Sequence, residues 1–186
     1  MKVSNQQQQG FTLIELMIVV AILSILASVA AVAYTKWIRS AREAEAQSVL
    51  SDIRIKQEAY FTSFRQYAGE CGGDWDGWAP KKSTPGESAV LWSDIATTYA
   101  TAAWIQLGIF NANKHLYFRY YIESGAPTEA PSTIFSAAGI DYQNEFWYAA
   151  RAVHDLDGNG KCEGFEIYSQ GDLISELKPE AANLCP

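Results

Sequence analysis

The stretch Gln6–Tyr34, QQQQGFTLIELMIVVAILSILASVAAVAY, decides how the rest of the chain is read. From Phe11 to Ala33 run 23 residues without glycine or proline and with one formal charge, Glu15. As a helix at about 1.5 Å per residue, such a run reaches about 35 Å, enough to cross the hydrocarbon core of a bilayer. A cleaved secretory signal would have a shorter apolar region ending in small residues. Here the run continues into YTKWIRSAREAEAQSVLSDIRIKQEAYFTSFRQYA, which has no glycine or proline until Gly69 and is rich in good helix formers. Val49, Leu50, Ile53, Tyr60, Phe61 and Phe64 recur there at helical spacing, with Arg54, Glu58 and Arg65 between them. The spacing predicts one helix of roughly 55 residues, an apolar half followed by an amphipathic half that must pack on something.

Working outward, the 186 residues suffice for one domain with a proper core. The net charge of −7 is uneven. Residues 34–68 carry six Lys/Arg against four Asp/Glu, whereas residues 69–186 carry seven against sixteen. An acidic head is a poor partner for phosphate backbones, so no specific nucleic-acid binding is expected. Lys36, Arg39 and Arg42 follow the apolar run and only Lys2 precedes it, a charge count that weakly favours a cytoplasmic C-terminal side. Cys71, Cys162 and Cys185 lack the C-x-x-C spacing of a zinc or redox site. In an oxidising compartment three pairings are open. Cys162 with Cys185 is favoured, because it would pin the C-terminus and close a loop worth about 3 kcal/mol in the chain-entropy model.

Glu15 needs its own account. A charge inside hydrocarbon costs on the order of 3 kcal/mol on insertion scales, and such residues usually have a partner or a function; the simpler alternative is a position at the membrane interface. GFTLIELMIVVAILSILA, Gly10 to Ala27, closely resembles the class III signal of type IV pilins and pseudopilins: a short polar leader, Gly, Phe, Thr, a Glu at the fifth place and an unbroken apolar helix. The resemblance implies cleavage between Gly10 and Phe11 by a prepilin peptidase, N-methylation of Phe11, and a head outside the cytoplasm, which overrides the charge count. It also implies that Glu15 neutralises the N-terminal amine of a neighbouring subunit as helices bundle. Each charge would be costly alone where water is scarce, so the pair would favour one axial register. Where family members often carry a helix-breaking Gly and Pro, this chain has Ser24 and Val32. WIQLGI and YFRYYIESG are similar to head segments of delta-proteobacterial pilin-like proteins, a softer match.

In the head, residues 69–114 read as a turn-rich connection with one or two short helices, and Trp75, Trp78, Trp92 and Trp104 as core or lid residues. Three strands are expected at Leu116–Ser124, Glu145–Val153 and Phe165–Ser169, in an antiparallel sheet with one face on the helix. The segment SGAPTEAPSTIFSAAGID between the first two reads as a long exposed loop. Before the last strand, DLDGNGKCEGFE fills every formal position of the calcium-loop pattern. Asp155, Asp157, Asn159, the Lys161 carbonyl, Glu163 and Glu166 would supply the oxygens that Ca²⁺ requires. Both flanks read as strands rather than helices, and a D-G-N-G cluster equally suits a tight hairpin turn. His115 and His154 lie at strand ends without a catalytic arrangement, and no enzyme is expected.

Together these readings give an α+β fold of the type IV pilin kind. Its parts are a leader (1–10), a transmembrane and filament-core half-helix (11–33), an amphipathic half-helix (34–68) and a globular head (69–186). The function implied is a structural subunit of a pilus-like filament, held in inner-membrane lipid and handed to pilus assembly machinery, where it joins identical or related subunits. Motility, adhesion or DNA uptake would be properties of the filament. The alternatives are a pseudopilin of type II secretion and a membrane-anchored, calcium-dependent binding module.

Overall fold

The computed structural model describes residues 11–69, 89–91, 101–109, 115–135, 139–155, 161–171 and 174–177. Its dominant element is helix α1, Leu13–Phe64, 52 residues in one piece. The chain divides into two units, Met1–Ala41 and Arg42–Pro186, with the boundary inside α1. In the first unit, every described residue from Phe11 to Trp37 is exposed. Hydroxyls that would be awkward in an apolar medium are satisfied within the helix. Ser24 donates to the Val20 carbonyl (2.7 Å), Ser28 to that of Ile25 (2.7 Å) and Thr35 to that of Val32 (2.9 Å).

In the second unit, Ala46, Val49, Leu50, Ile53 and Gln57 are the buried stripe of α1, at the three- and four-residue steps that place side chains on one helical face. The helix stops when Arg65 adopts a left-handed conformation (φ 58°), its N–H donating to the Phe61 carbonyl at 2.8 Å. The returning chain is fixed by Gln57, whose side-chain amide grips one residue twice. Ala68 N–H donates to Gln57 Oε1 (2.9 Å), and Gln57 Nε2 donates to the Ala68 carbonyl (2.5 Å). Gly69 then lies so close to Ser124 that a Cβ would stand 2.7 Å from its Oγ.

Beyond α1 come β1 (Val90–Leu91), α2 (Thr101–Gln106), β2 (His115–Leu116), β3 (Arg119–Gly125), β4 (Trp147–His154), β5 (Glu163–Tyr168) and β6 (Ser175–Leu177). β3 to β6 form an antiparallel sheet in chain order, with Tyr121 opposite Arg151 and Arg151 opposite Glu166; β1 and β2 form a separate two-stranded pair. The three expected strands are all present. The first is split, because Tyr117 N–H donates to Glu45 Oε1 on α1 (3.1 Å) instead of joining a ladder. β6 was not expected. Gly164 is required where it sits, since a Cβ there would lie 2.0 Å from the Ala152 carbonyl oxygen across the ladder.

One sheet face, bearing Tyr120, Ile122, Tyr148, Ala150, Ala152, Phe165 and Ile167, packs in one core with Leu50 and Ile53 of α1 and with Trp104 and Leu107. Trp104 is thus the core residue expected from the sequence; Trp75, Trp78 and Trp92 lie outside the described residues. The opposite face departs from expectation. The loop after β3, expected to be exposed, folds across this face: Phe135 is fully buried and, with Ile140, packs on Tyr121, Trp147, Ala149 and Val153. The buried carboxylate of Glu123 holds it down, accepting from Ser132 N–H (2.7 Å) and Ser132 Oγ (2.5 Å). Trp147 Nε1 donates to the Glu129 carbonyl (2.9 Å), and the Arg151 guanidinium lies 4.9 Å from the Phe135 ring centre. Both faces are therefore covered, and β3 and β4 are buried along their whole length.

Candidate assembly site at the helix N-terminus

The first turn of α1 is closed by two side chains that cap each other. Glu15 N–H donates to Thr12 Oγ1 (3.3 Å), while Glu15 Oε2 accepts from Thr12 N–H (2.9 Å) and from Thr12 Oγ1–H (2.7 Å). This is a capping box, in which the N-cap hydroxyl and the carboxylate three residues on satisfy otherwise orphaned helix donors. The carboxylate also lies at the positive end of the helix dipole. Glu15 therefore has a partner within its own chain, in addition to the amine from a neighbour that the resemblance implies. Thr12 is the residue of the candidate site whose capping part the sequence reading did not assign. Its signal was present as T-L-I-E ahead of an apolar run, the capping-box pattern.

Phe11 is 86 % exposed, and Leu13, Ile14, Leu16, Met17 and Ile18 after it are all exposed. The helix contains a window of mean hydropathy 2.8, long and apolar enough to cross a membrane and with no part buried. An uncovered apolar rod with a capped, acidic first turn can do two things chemically: sit in lipid, or pack against similar rods. Gly10 lies outside the described residues.

The second sequence candidate, the 155–166 connection, is only partly described. Asp155 is buried directly after β4, and Asp157 and Asn159 lie outside the described residues. Glu166 is engaged elsewhere: its Oε2 accepts from Arg151 Nη2 (2.9 Å) and Nε (3.2 Å), a nearly buried ion pair on the loop-covered face. Glu163 stands opposite His154, and strand alternation sends its side chain to the other face from Glu166. Among the described residues no group of three or more His, Cys, Asp or Glu is placed to hold a metal. Cys162 is buried, and Cys71 and Cys185 lie outside the described residues. His115 and His154 are at strand ends as expected, His154 buried edge-on against Phe118 with ring centres 4.3 Å apart.

Burial shapes the electrostatics of the head. The Tyr120 hydroxyl is pushed well above its usual range by burial and then by the Glu45 carboxylate, to which it donates at 3.3 Å. Tyr67 is raised to about 12 by burial, with Glu58 adding to it. Glu123 is raised by burial, against the lowering effect of its two Ser132 bonds.

Residues 5–31 match the family described as the prokaryotic N-terminal methylation motif. The chain is 39 % identical over 64 residues to the type IV major pilin protein PilA of Myxococcus xanthus (strain DK1622), covering 34 % of this chain and 29 % of that protein. The matched region thus spans less than a third of the relative's length. No solved structure matches the chain. The chain carries a prepilin-type N-terminal methylation motif on an α+β, type IV pilin-like architecture, a long helix packed on a small four-stranded antiparallel sheet.

Proposed function

We propose that this protein is a structural, non-enzymatic subunit of a type IV pilus-like filament. Its apolar half-helix anchors it in the inner membrane with the head outside the cytoplasm. A prepilin peptidase cuts between Gly10 and Phe11, Phe11 is N-methylated, and the subunit passes through pilus assembly machinery into a filament of identical or related subunits. The observation that carries this reading is the methylation motif heading a helix whose side chains are exposed from Phe11 to Trp37. Such a surface needs lipid or other helices to cover it. The capping box supports it further, because it keeps Glu15 satisfied while no neighbour is present and does so through Oε2 alone. Motility, adhesion and DNA uptake are candidate uses of the filament. Cys162 paired with Cys185 is the proposed disulfide.

The test is to shear and purify surface filaments from the native host and sequence the N-terminus of the subunit. The expected result is a chain starting at methylated Phe11. Uncut, monomeric protein confined to the inner membrane would overturn the proposal. Recovery only when a secretion apparatus is present would instead identify a pseudopilus subunit.

A further inference from the structure

We propose that Tyr34 and Trp37 form an interfacial anchor that contacts the headgroup and carbonyl layer of a glycerophospholipid membrane and thereby sets Glu15 at the opposite interface. The inference rests on the membrane-anchored state proposed above and specifies its depth. Tyr34 and Trp37 are the first aromatic residues after Phe11 on the apolar half-helix, 63 % and 65 % exposed, and they stand three residues apart on neighbouring parts of the helical surface. The residues before them from Leu16 are apolar or small, with hydroxyls bonded back to the helix, whereas Lys36 and Arg39 lie among and just after them. An amphipathic ring at the step from apolar to charged is the arrangement that Trp and Tyr adopt at headgroup level, one end apolar and the other hydrogen-bonding.

The depth follows from helix geometry. A hydrocarbon core of about 30 Å corresponds to about 20 helical residues. Counting back that far from Tyr34 reaches Ile14, and from Trp37 reaches Met17. Glu15 falls inside that window. A tilt of about 20° lengthens the path by about one residue and keeps Glu15 inside it. The two ends of the span are thereby matched, an aromatic belt at one and the Thr12–Glu15 capping box at the other. Glu15 is held at the edge of the hydrocarbon while the subunit is stored, within reach of the headgroup layer, and its carboxylate enters a fully dry environment when the helix leaves the bilayer for a helix bundle. The placement is the same for either orientation of the helix.

The test reconstitutes the full chain into phosphatidylethanolamine/phosphatidylglycerol vesicles carrying either shallow (6,7-dibromo) or deep (11,12-dibromo) acyl-chain quenchers. The Trp37 signal is the difference between wild type and Trp37→Phe, which removes the other five tryptophans. The expected result is about twofold stronger quenching of Trp37 by the shallow lipid than by the deep one, as for a ring at the interface. Equal or stronger quenching by the deep lipid, or no quenching in vesicle-bound protein, overturns the anchor. A chain that does not co-float with vesicles overturns the membrane-anchored state itself, a different and separately visible failure.

Discussion

Gln57 is the side chain that ties the chain leaving α1 back onto the helix, and replacing it gives a sharp test of how that return is held. It is fully buried, and its amide satisfies both the N–H and the C=O of Ala68, itself 1 % exposed. Gln57→Met keeps length and approximate volume but removes both bonds. Two orphaned buried backbone groups cost about 1–3 kcal/mol each, about 4 kcal/mol together at the middle of that range, and the added apolar burial returns about 2 kcal/mol, leaving a net loss of about 2 kcal/mol. With a urea m-value of about 2 kcal/mol/M, the midpoint should fall by about 1 M. The assay is urea unfolding of the full chain in detergent, followed by tryptophan fluorescence. Gln57→Glu adds a pH signature. Its protonated carboxyl can accept from Ala68 N–H and donate to the Ala68 carbonyl, whereas its carboxylate would be buried against that carbonyl. The folded-state pKa of the new group is therefore raised. The stability it supports is present below the ordinary carboxylate range and is lost as pH rises through the raised value. Gln57→Glu should approach wild-type stability below about pH 4 and resemble Gln57→Met near neutrality. A Gln57→Met midpoint within about 0.2 M of wild type, or a Gln57→Glu deficit that does not change with pH, would refute this account.

Thr128 holds a left-handed conformation (φ 76°) that a β-branched residue rarely adopts, in the loop whose Thr128 N–H donates to the Tyr142 carbonyl at 2.7 Å. Thr128→Gly should raise stability by about 1 kcal/mol in the same urea assay, and a loss would show that the threonine side chain makes compensating contacts. Burial raises the Glu123 carboxyl above its usual range, so its contribution to stability is present below the ordinary carboxylate range and fades as pH rises through the raised value. The difference between wild type and Glu123→Gln should change with pH in that sense; a pH-independent difference would mean that the carboxyl ionises as freely folded as unfolded. Since Glu166 is committed to Arg151, thermal unfolding should be the same in millimolar Ca²⁺ and in chelator, whereas a higher melting temperature with Ca²⁺ would establish an ion in the 155–166 connection.

What the sequence disclosed depended on the range of the forces involved. α1 was legible because its signal, apolar spacing without a breaker over some fifty residues, is local and repeated. Its exact end was not, because Arg65 ends the helix in a left-handed turn with no glycine to announce it. β3 to β5 were legible from aromatic and β-branched runs. β6 was hidden because three residues, Ser175 to Leu177, are recruited by backbone pairing to β5 and carry no strand pattern. The largest surprise was the loop across the second sheet face. Its apolar residues Ile134, Phe135 and Ile140 are scattered among Ser, Pro and Gly, so composition alone suggested exposure. The contrary signal was in β4, where WYAARAV is nearly continuous in apolar residues instead of alternating, as a strand covered on both faces requires. Arg151 and Glu166, two of the charged residues on that face, are paired across adjacent strands, a long-range arrangement that no local pattern specifies.

The candidate assembly site shows the same division between local and long-range information. That Glu15 calls for a partner could be read from one charge in an apolar run. That it is already bonded could not be read without noticing Thr12, whose hydroxyl and N–H both engage Oε2. The geometry changes the logic of the proposed pairing with a neighbour's amine. The cap and the pair need not compete, because the cap occupies Oε2 and leaves Oε1 to accept a second donor. The cap would then act as a positioning device, fixing the carboxylate against its own helix end so that less side-chain freedom is lost when the amine arrives. Thr12→Val, which keeps the shape but removes the hydroxyl, should therefore leave membrane insertion unchanged and reduce filament yield, because Glu15 N–H loses its acceptor and the carboxylate keeps only one of its two donors, the backbone N–H of residue 12. If Thr12→Val assembles as well as wild type while Glu15→Gln does not, the carboxylate acts by charge alone and the cap is only a helix terminus. If both variants assemble normally, Glu15 has no part in choosing the register of the bundle.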